Sequence, residues 1–310
     1  MNEPADNQIW KDIYYTSQDG LRLYARHYPA SGQSLGAVIC LPGLTRNSKD
    51  FHHLASHLSG GLERGFDVYC LDFRGRGLSA YDPDWSNYTP FIELLDTLDF
   101  MTLAGLHDAA VIGTSRGGII AMLIGVLRPT VMRAVVLNDI GPVVDPRGLA
   151  RIMGYVGVMP VPESWSQAAR ILKDANGAYF PAIPDDEWSI LARQWFSEKD
   201  GMPASSYDPN LAKALGAAEL SQRSPELWPQ FEALGKYPTL VLRGENSDIL
   251  NEETLGEMSR RHKGLEVEIV AGQGHAPLLR DTASLDRITA FLGGTKLAET
   301  SENADQAAAK

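Results

Sequence analysis

Cysteine is almost missing from this chain. Only Cys40 and Cys70 occur among 310 residues, each inside an apolar run, AVICLPG and DVYCLDF. With no CxxC pair and no Cys/His cluster at metal spacing, the sequence excludes a zinc framework and a disulfide scaffold. The two thiols read as small buried apolar groups, reduced in place. Positive charge is also short: 28 Lys and Arg face 39 Asp and Glu, a formal net charge of -11. The basic face that grips nucleic acid is therefore not available. No apolar run reaches the roughly 18 residues that a membrane span requires. The first residues, MNEPADNQIWKD, show neither a basic n-region nor an apolar h-region, so the expectation is a cytoplasmic chain. No cofactor or metal, no nucleic acid and no membrane is expected as partner, only a small molecule. Nothing in the residues assigns an oligomeric state.

What is present is a regular alternation. KDIYYTS and LRLYARHY flank Asp19-Gly20 and predict an antiparallel hairpin. LGAVICLPG, FDVYCLD, AAVIG and RAVVLND are short, nearly continuous apolar runs, as strands buried on both faces would be. Helical spacing lies between them, including TPFIELLDTLDF, with Thr89 as candidate N-cap and Pro90 in the first turn. Such alternation predicts right-handed βαβ units and a mostly parallel sheet with helices on both faces. From 141 to 235 the rhythm is lost: proline-punctuated helical segments follow one another with no convincing strand. TLVLRGE and LEVEIVAG then resume it. The expected organisation is a core of residues 12–140 and 236–293, an all-helical cap over 141–235, and a disordered tail over 294–310, TKLAETSENADQAAAK being its polar part.

The chemistry begins at DAAVIGTSRGGIIAML, where a strand run meets a helix run at Gly113-Thr-Ser115-Arg-Gly117. A serine on so sharp a turn has its hydroxyl pushed out above the carboxyl edge of the sheet. Small residues are needed two positions before and after it, because side chains there would strike neighbouring backbone. Free N–H groups at the start of the following helix face any negative charge that develops. A serine hydroxyl needs a base and an orienting acid. Of the seven histidines, His275 in AGQGHAPLL stands in a glycine-bracketed loop after the last strand and is the candidate base. Asp248 in LRGENSDIL, after the preceding strand, is the favoured acid, and Asp139 in LNDIGP is its rival. The backbone N–H groups of Leu44 and Arg116 are the candidate oxyanion donors.

Together with LPGLTRNSKDF, LDFRGRGLS and GQGHAPLL, these stretches resemble the capped branch of the α/β-hydrolase superfamily over most of the chain. The resemblance implies an α/β-hydrolase fold: an eight-stranded sheet, its first pair antiparallel, with the helical cap inserted after strand 6. It also implies that Ser115, His275 and Asp248 form a catalytic triad and that Leu44 and Arg116 hold the oxyanion. Two features depart from the family. Pro42-Gly43 stands where many relatives have His-Gly, and a cation, Arg116, follows the nucleophile where an apolar residue is common. A cation at a helix N-terminus opposes the helix dipole, so Arg116 is expected to have a partner, with Asp139 the candidate and a substrate carboxylate the alternative.

A serine nucleophile weighs against dehalogenases and epoxide hydrolases, which share the fold. The expected reaction is acyl transfer to water: cleavage of carboxylic esters with apolar acyl or alkyl groups, with lactones or aliphatic polyesters as specialisations. The alternatives are a hydrolase of carbon–carbon bonds in vinylogous diketones with the same triad, and a non-catalytic small-molecule receptor. Met153, Trp165, Trp188 and Trp195 of the cap are the expected substrate contacts.

Overall fold

A computed structural model describes residues 8–61, 64–221 and 226–308, with side chains at all of these except 218–221 and 296–308. The hairpin forms as expected: Lys11–Thr16 (β1) pairs with Arg22–Tyr28 (β2) around Gly20, whose φ of +86° suits a residue without a side chain. Ala37–Leu41 (β3), His52–Gly60 (α1), Asp67–Asp72 (β4), Pro90–Leu103 (α2), Ala109–Thr114 (β5), Arg116–Leu127 (α3) and Met132–Asn138 (β6) follow. Thr89 caps α2 by accepting the Ile92 N–H, with Pro90 at the first turn. The chain then leaves the sheet through Pro146–Tyr155 (α4), Trp165–Asn176 (α5), Glu187–Trp195 (α6), Ser197–Lys199 (β7), Met202–Ala204 (β8), Leu211–Ser221 (α7) and Trp228–Glu232 (α8). It returns through Thr239–Gly244 (β9), Glu252–Arg261 (α9), Leu265–Val270 (β10) and Thr282–Ala308 (α10).

The eight-stranded sheet has the order β1-β2-β4-β3-β5-β6-β9-β10. Only β2 runs against its neighbours; all other pairs are parallel. This is the alpha/beta hydrolase fold. Period-2 alternation sorts the strand residues onto two faces. Ile39, Val111, Val135 and Leu137 pack towards α2 and α3. Val38, Ile112, Val136 and Leu240 pack towards α1 and α10. Each such side chain contributes about 1.5–3 kcal/mol on burial, which is why the central strands read as unbroken apolar runs. Cys40 and Cys70 are free, buried neighbours on β3 and β4.

The inserted region is not all helical. β7 and β8 pair antiparallel through Asp200-Gly201, both at positive φ, the turn that Asp-Gly favours. Strands of three residues carry too little periodicity to be read from sequence. The region has its own apolar centre of Leu172, Phe180, Trp188 and Leu191, and it is tied to the sheet by polar bonds. Lys49 Nζ donates to the carbonyls of Arg193 (3.0 Å) and Phe196 (2.7 Å), and Tyr88 Oη donates to Asp208 (2.6 Å). The stretch from 294 onward, expected to be disordered, begins inside α10; residues 309–310 and the side chains of 296–308 lie outside the described residues.

Helix α3 lies hard against β3. A Cβ on Gly117 would stand 2.0 Å from the Leu41 carbonyl oxygen, whereas one on Gly154 of α4 meets nothing within 4 Å. Gly117→Ala should therefore cost about 3 kcal/mol, the upper range for overpacking. Gly154→Ala should be neutral or slightly stabilising, as alanine is the better helix former. Urea midpoints of the two variants check this; equal midpoints would contradict the close approach.

Candidate active site

Strand β5 ends at Thr114 and α3 starts at Arg116, so Ser115 alone makes the turn, at φ 51° and ψ -113°. A non-glycine residue there is strained, and the surrounding packing must enforce it. It does: a Cβ on Gly113 would lie 2.5 Å from the Gly117 carbonyl, so only glycine lets the strand and the helix meet this closely. The Ser115 hydroxyl is thereby presented at the carboxyl edge of the sheet, beside the loop that follows β3.

His275 follows β10 in a loop tightly packed by glycines. Gly274 would strike Tyr179 if it carried a Cβ, and Gly244 would strike the Gly274 carbonyl. Asn138 Nδ2 donates to the Pro277 carbonyl at 3.0 Å and fixes the loop to the end of β6. The imidazole Nε2 then stands 2.9 Å from Ser115 Oγ, and Nδ1 stands 2.8 Å from Asp139 Oδ2. Asp139 is fully buried and also accepts the Gly244 N–H (2.9 Å) and the Ser247 hydroxyl (2.6 Å). An ionised carboxylate only accepts hydrogen bonds, so the imidazole proton sits on Nδ1 and leaves Nε2 free to accept from the serine.

The structure brings Ser115 and His275 together but not Asp248, which corrects the sequence assignment of the acid. The Asp248 carboxylate is held instead by Arg151 of α4, at 2.5 Å (Nε) and 2.8 Å (Nη2). Asp139 comes directly off β6 with φ 57°, turning its side chain towards the imidazole. Asp248 lies four residues beyond the end of β9, and Gly244 at that end and Ser247 in the loop supply donors to Asp139. The available signal was position: LNDIGP puts its aspartate at the strand terminus, as GTSRGG puts its serine, whereas ENSD is a polar turn.

Arg116 does not pair with Asp139 either. Its Nε donates to Glu93 Oε2 at 2.7 Å and its Nη2 to the Tyr88 carbonyl at 3.2 Å. Glu93 is wholly buried on α2 and also meets Arg76 Nη1 at 2.8 Å. Burial alone would push the Glu93 carboxyl up, but the Arg116 and Arg76 guanidiniums outweigh it and hold it below its ordinary range. Arg76 in turn donates from Nε to the Leu44 carbonyl at 2.7 Å. One buried carboxylate thus ties the loop after β3 to the start of α3. The backbone N–H groups of Leu44 and Arg116 have no internal acceptor among the described residues, and both belong to the segments that meet at Ser115. The loop lies against the serine: a Cβ on Gly43 would meet that of Ser115 at 3.8 Å, an ordinary contact.

A cavity of about 170 Å³ opens on Ser115 and His275. Of the four cap residues expected to touch substrate, Trp195 lines it and Met153, Trp165 and Trp188 do not. Helical phase is the reason. Trp188 faces α5 and belongs to the cap's own apolar centre, 3 % exposed. Trp165 packs against that centre and donates to the Gly201 carbonyl. On α4 it is Arg151, Ile152 and Tyr155 that turn to the cavity, joined by Met159, Leu172 and Tyr207 from the rest of the cap.

The family model described as "Alpha/beta hydrolase family" matches residues 38–286. The 3-hydroxybutyrate-oligomer hydrolase of Cupriavidus necator is 30% identical over 290 residues, 90% of this chain and 95% of that one. The 2-(acetamidomethylene)succinate hydrolase of Mesorhizobium japonicum is 28% identical over 237 residues, 75% and 79% of the two chains. A solved alpha/beta hydrolase from Novosphingobium aromaticivorans matches with a TM-score of 0.85 at 38% identity, covering 92% of this chain and 98% of that one.

Removing the charge of Glu93 should leave two buried guanidiniums without a counter-ion. Glu93→Gln is expected to cost about 3–5 kcal/mol at neutral pH, whereas Glu257→Gln, at a solvent-accessible pair with Arg260 and Arg261, should change the midpoint little. The sign with pH follows from the lowered Glu93 carboxyl. Its stabilisation is complete above the ordinary glutamate value of 4.5 and fades as pH falls through the lower folded value. Denaturation of wild type and variant between neutral and acid pH should show the gap narrowing towards acid.

Proposed function

The chain belongs to the alpha/beta hydrolase family, and on that premise we propose that it is a serine hydrolase of carboxylic esters. The observation that carries the reading is the unbroken line from Ser115 Oγ through the His275 imidazole to the buried Asp139 carboxylate. His275 Nε2 takes the hydroxyl proton as Oγ attacks the ester carbonyl. The Ser115 O–C bond forms, and the carbonyl oxygen becomes an oxyanion facing the N–H groups of Leu44 and Arg116. Asp139 balances the imidazolium and keeps its Nδ1 proton in place. The ester C–O bond then breaks, and the departing alkoxide takes the proton from Nε2. Water, deprotonated by the same imidazole, attacks the acyl-enzyme, releases the carboxylic acid and returns the proton to Ser115.

The cavity wall favours aliphatic substrates, with Ile152, Leu172 and Met159 lining the same cavity as the reactive serine. The Cupriavidus necator relative is by name a hydrolase of 3-hydroxybutyrate oligomers, which are aliphatic esters. Short oligoesters of hydroxy acids are accordingly the specialisation proposed here, within the ester and polyester class that the residues suggested.

Ser115→Ala should lower p-nitrophenyl butyrate turnover by about 10⁴-fold or more and abolish fluorophosphonate labelling. Asp139→Asn should lower kcat by about 10³–10⁴-fold, since the imidazole loses its orienting acceptor. Asp248→Asn should lower it by less than about ten-fold, as that carboxylate never reaches the imidazole. An Asp248→Asn loss as deep as that of Asp139→Asn would overturn the assignment.

A further inference from the structure

We infer that Arg151 is the receptor for a free carboxylate on the substrate, so that the favoured ester is one that still carries an acid group. This rests on the ester-hydrolase reading and names its substrate more closely. The cavity above Ser115 contains two arginines, Arg46 and Arg151, and they are not equivalent. Arg46 is held through the same Nε and Nη2 atoms and stacked 3.9 Å over Trp195, but its partner Asp50 lines the cavity itself, so that the pair presents both signs to a ligand. Arg151 lines the cavity while its partner Asp248 does not. Asp248 occupies Nε and Nη2. The Nη1 edge makes no hydrogen bond to another group among the described residues.

The placement is fixed from below. Asp145, the N-cap of α4, donates its backbone N–H to the Ile249 carbonyl at 2.9 Å. One turn before Arg151, Gly148 packs so close to the β9 loop that a Cβ would stand 2.2 Å from the Asp248 carbonyl oxygen. The guanidinium lies 4.6 Å over the Tyr179 ring, which restrains its plane. Asp248 therefore aims the arginine rather than consuming it. The same protein shows that one guanidinium can serve two carboxylate edges. Arg74 gives Nε and Nη2 to Asp96 and Nη1 to Asp82 and Asp19, at 2.6–2.8 Å for the principal bonds. In a chain of net charge -11, an oriented cation with an open edge beside the nucleophile selects an anionic group over the neutral ester that lacks it.

The test uses the full-length protein with the linear dimer of 3-hydroxybutyrate and the methyl ester of that dimer, following release of the two products by chromatography. For the wild type, kcat/KM should be at least ten-fold higher on the acid. Arg151→Gln should bring this ratio close to one, mainly by raising KM on the acid. Arg151→Lys should keep part of the preference, and Asp248→Asn should lower it because the guanidinium is no longer aimed. A wild-type ratio near one, which needs no variant, overturns the proposal, as does a ratio unaltered in Arg151→Gln. If the methyl ester is turned over and Ser115 takes a fluorophosphonate label, such a result removes this inference alone. If neither ester reacts and Ser115 stays unlabelled, the ester-hydrolase reading falls and this inference with it.

Discussion

Three parallel strands in register set the height at which the reactive groups leave the sheet. Thr114 lies opposite Asn138, and Asn138 opposite Leu242. The ladder then continues one residue further: the Ser115 N–H donates to the Asn138 carbonyl at 3.0 Å, and the Asp139 N–H to the Leu242 carbonyl at 2.7 Å. Ser115 and Asp139 are thus each the first residue past its strand, at the same level, and both turn at positive φ. The imidazole, held to β6 through Asn138 and Pro277, fits the gap between them. A residue inserted in either strand would change the level of one group by more than 3 Å, beyond any hydrogen bond. The convergence therefore depends on sheet register before it depends on side-chain chemistry.

Beneath this line lies a layer of buried charge. Arg74, Arg76 and Glu93 are each 1 % exposed or less at the side chain. Burying such groups costs several kcal/mol per ion before their mutual attraction is counted, so the layer is weak evidence of stability. Its geometry suggests another use. Glu93 touches both Arg76, which holds the Leu44 carbonyl, and Arg116, at the start of α3. Two loops that must stay within a fraction of an ångström of each other are referred to one rigid carboxylate. A cation at the start of α3, unfavourable for the helix alone, becomes intelligible as one end of that brace.

The sheet and its hairpin start were legible because they rest on periodicity, which is local. Ser115 and His275 were legible because each sits in a short glycine-bounded stretch whose geometry its own neighbours dictate. Asp139 was marked only by its place at a strand terminus, whereas chain order favoured Asp248 and does not say which loop reaches the imidazole. The Glu93 partner of Arg116 was out of reach because nothing within α2 marks an interior glutamate as facing the sheet edge. The cap tryptophans misled for a related reason. An aromatic residue serves equally well in a cap's own core or on a cavity wall, and the difference is a rotation of about 100° per residue along the helix.

The division between sheet and cap also explains how selection can vary while the chemistry stays constant. The acid–base line draws only on loops of the sheet, whereas Leu172 belongs to, and Met159 packs against, the apolar centre of the inserted region, which is separate from the two clusters of the sheet; Ile152 and Tyr207, also on the cavity wall, join the sheet's cluster. Changes inside that centre can reshape the wall with little strain on Ser115 or His275. Arg151 is tied, through Gly148 and Asp248, to the loop whose Ser247 donates to Asp139. A ligand group that engages Arg151 therefore presses on the same loop that holds the acid. It is one contact through which substrate identity can reach the reactive line.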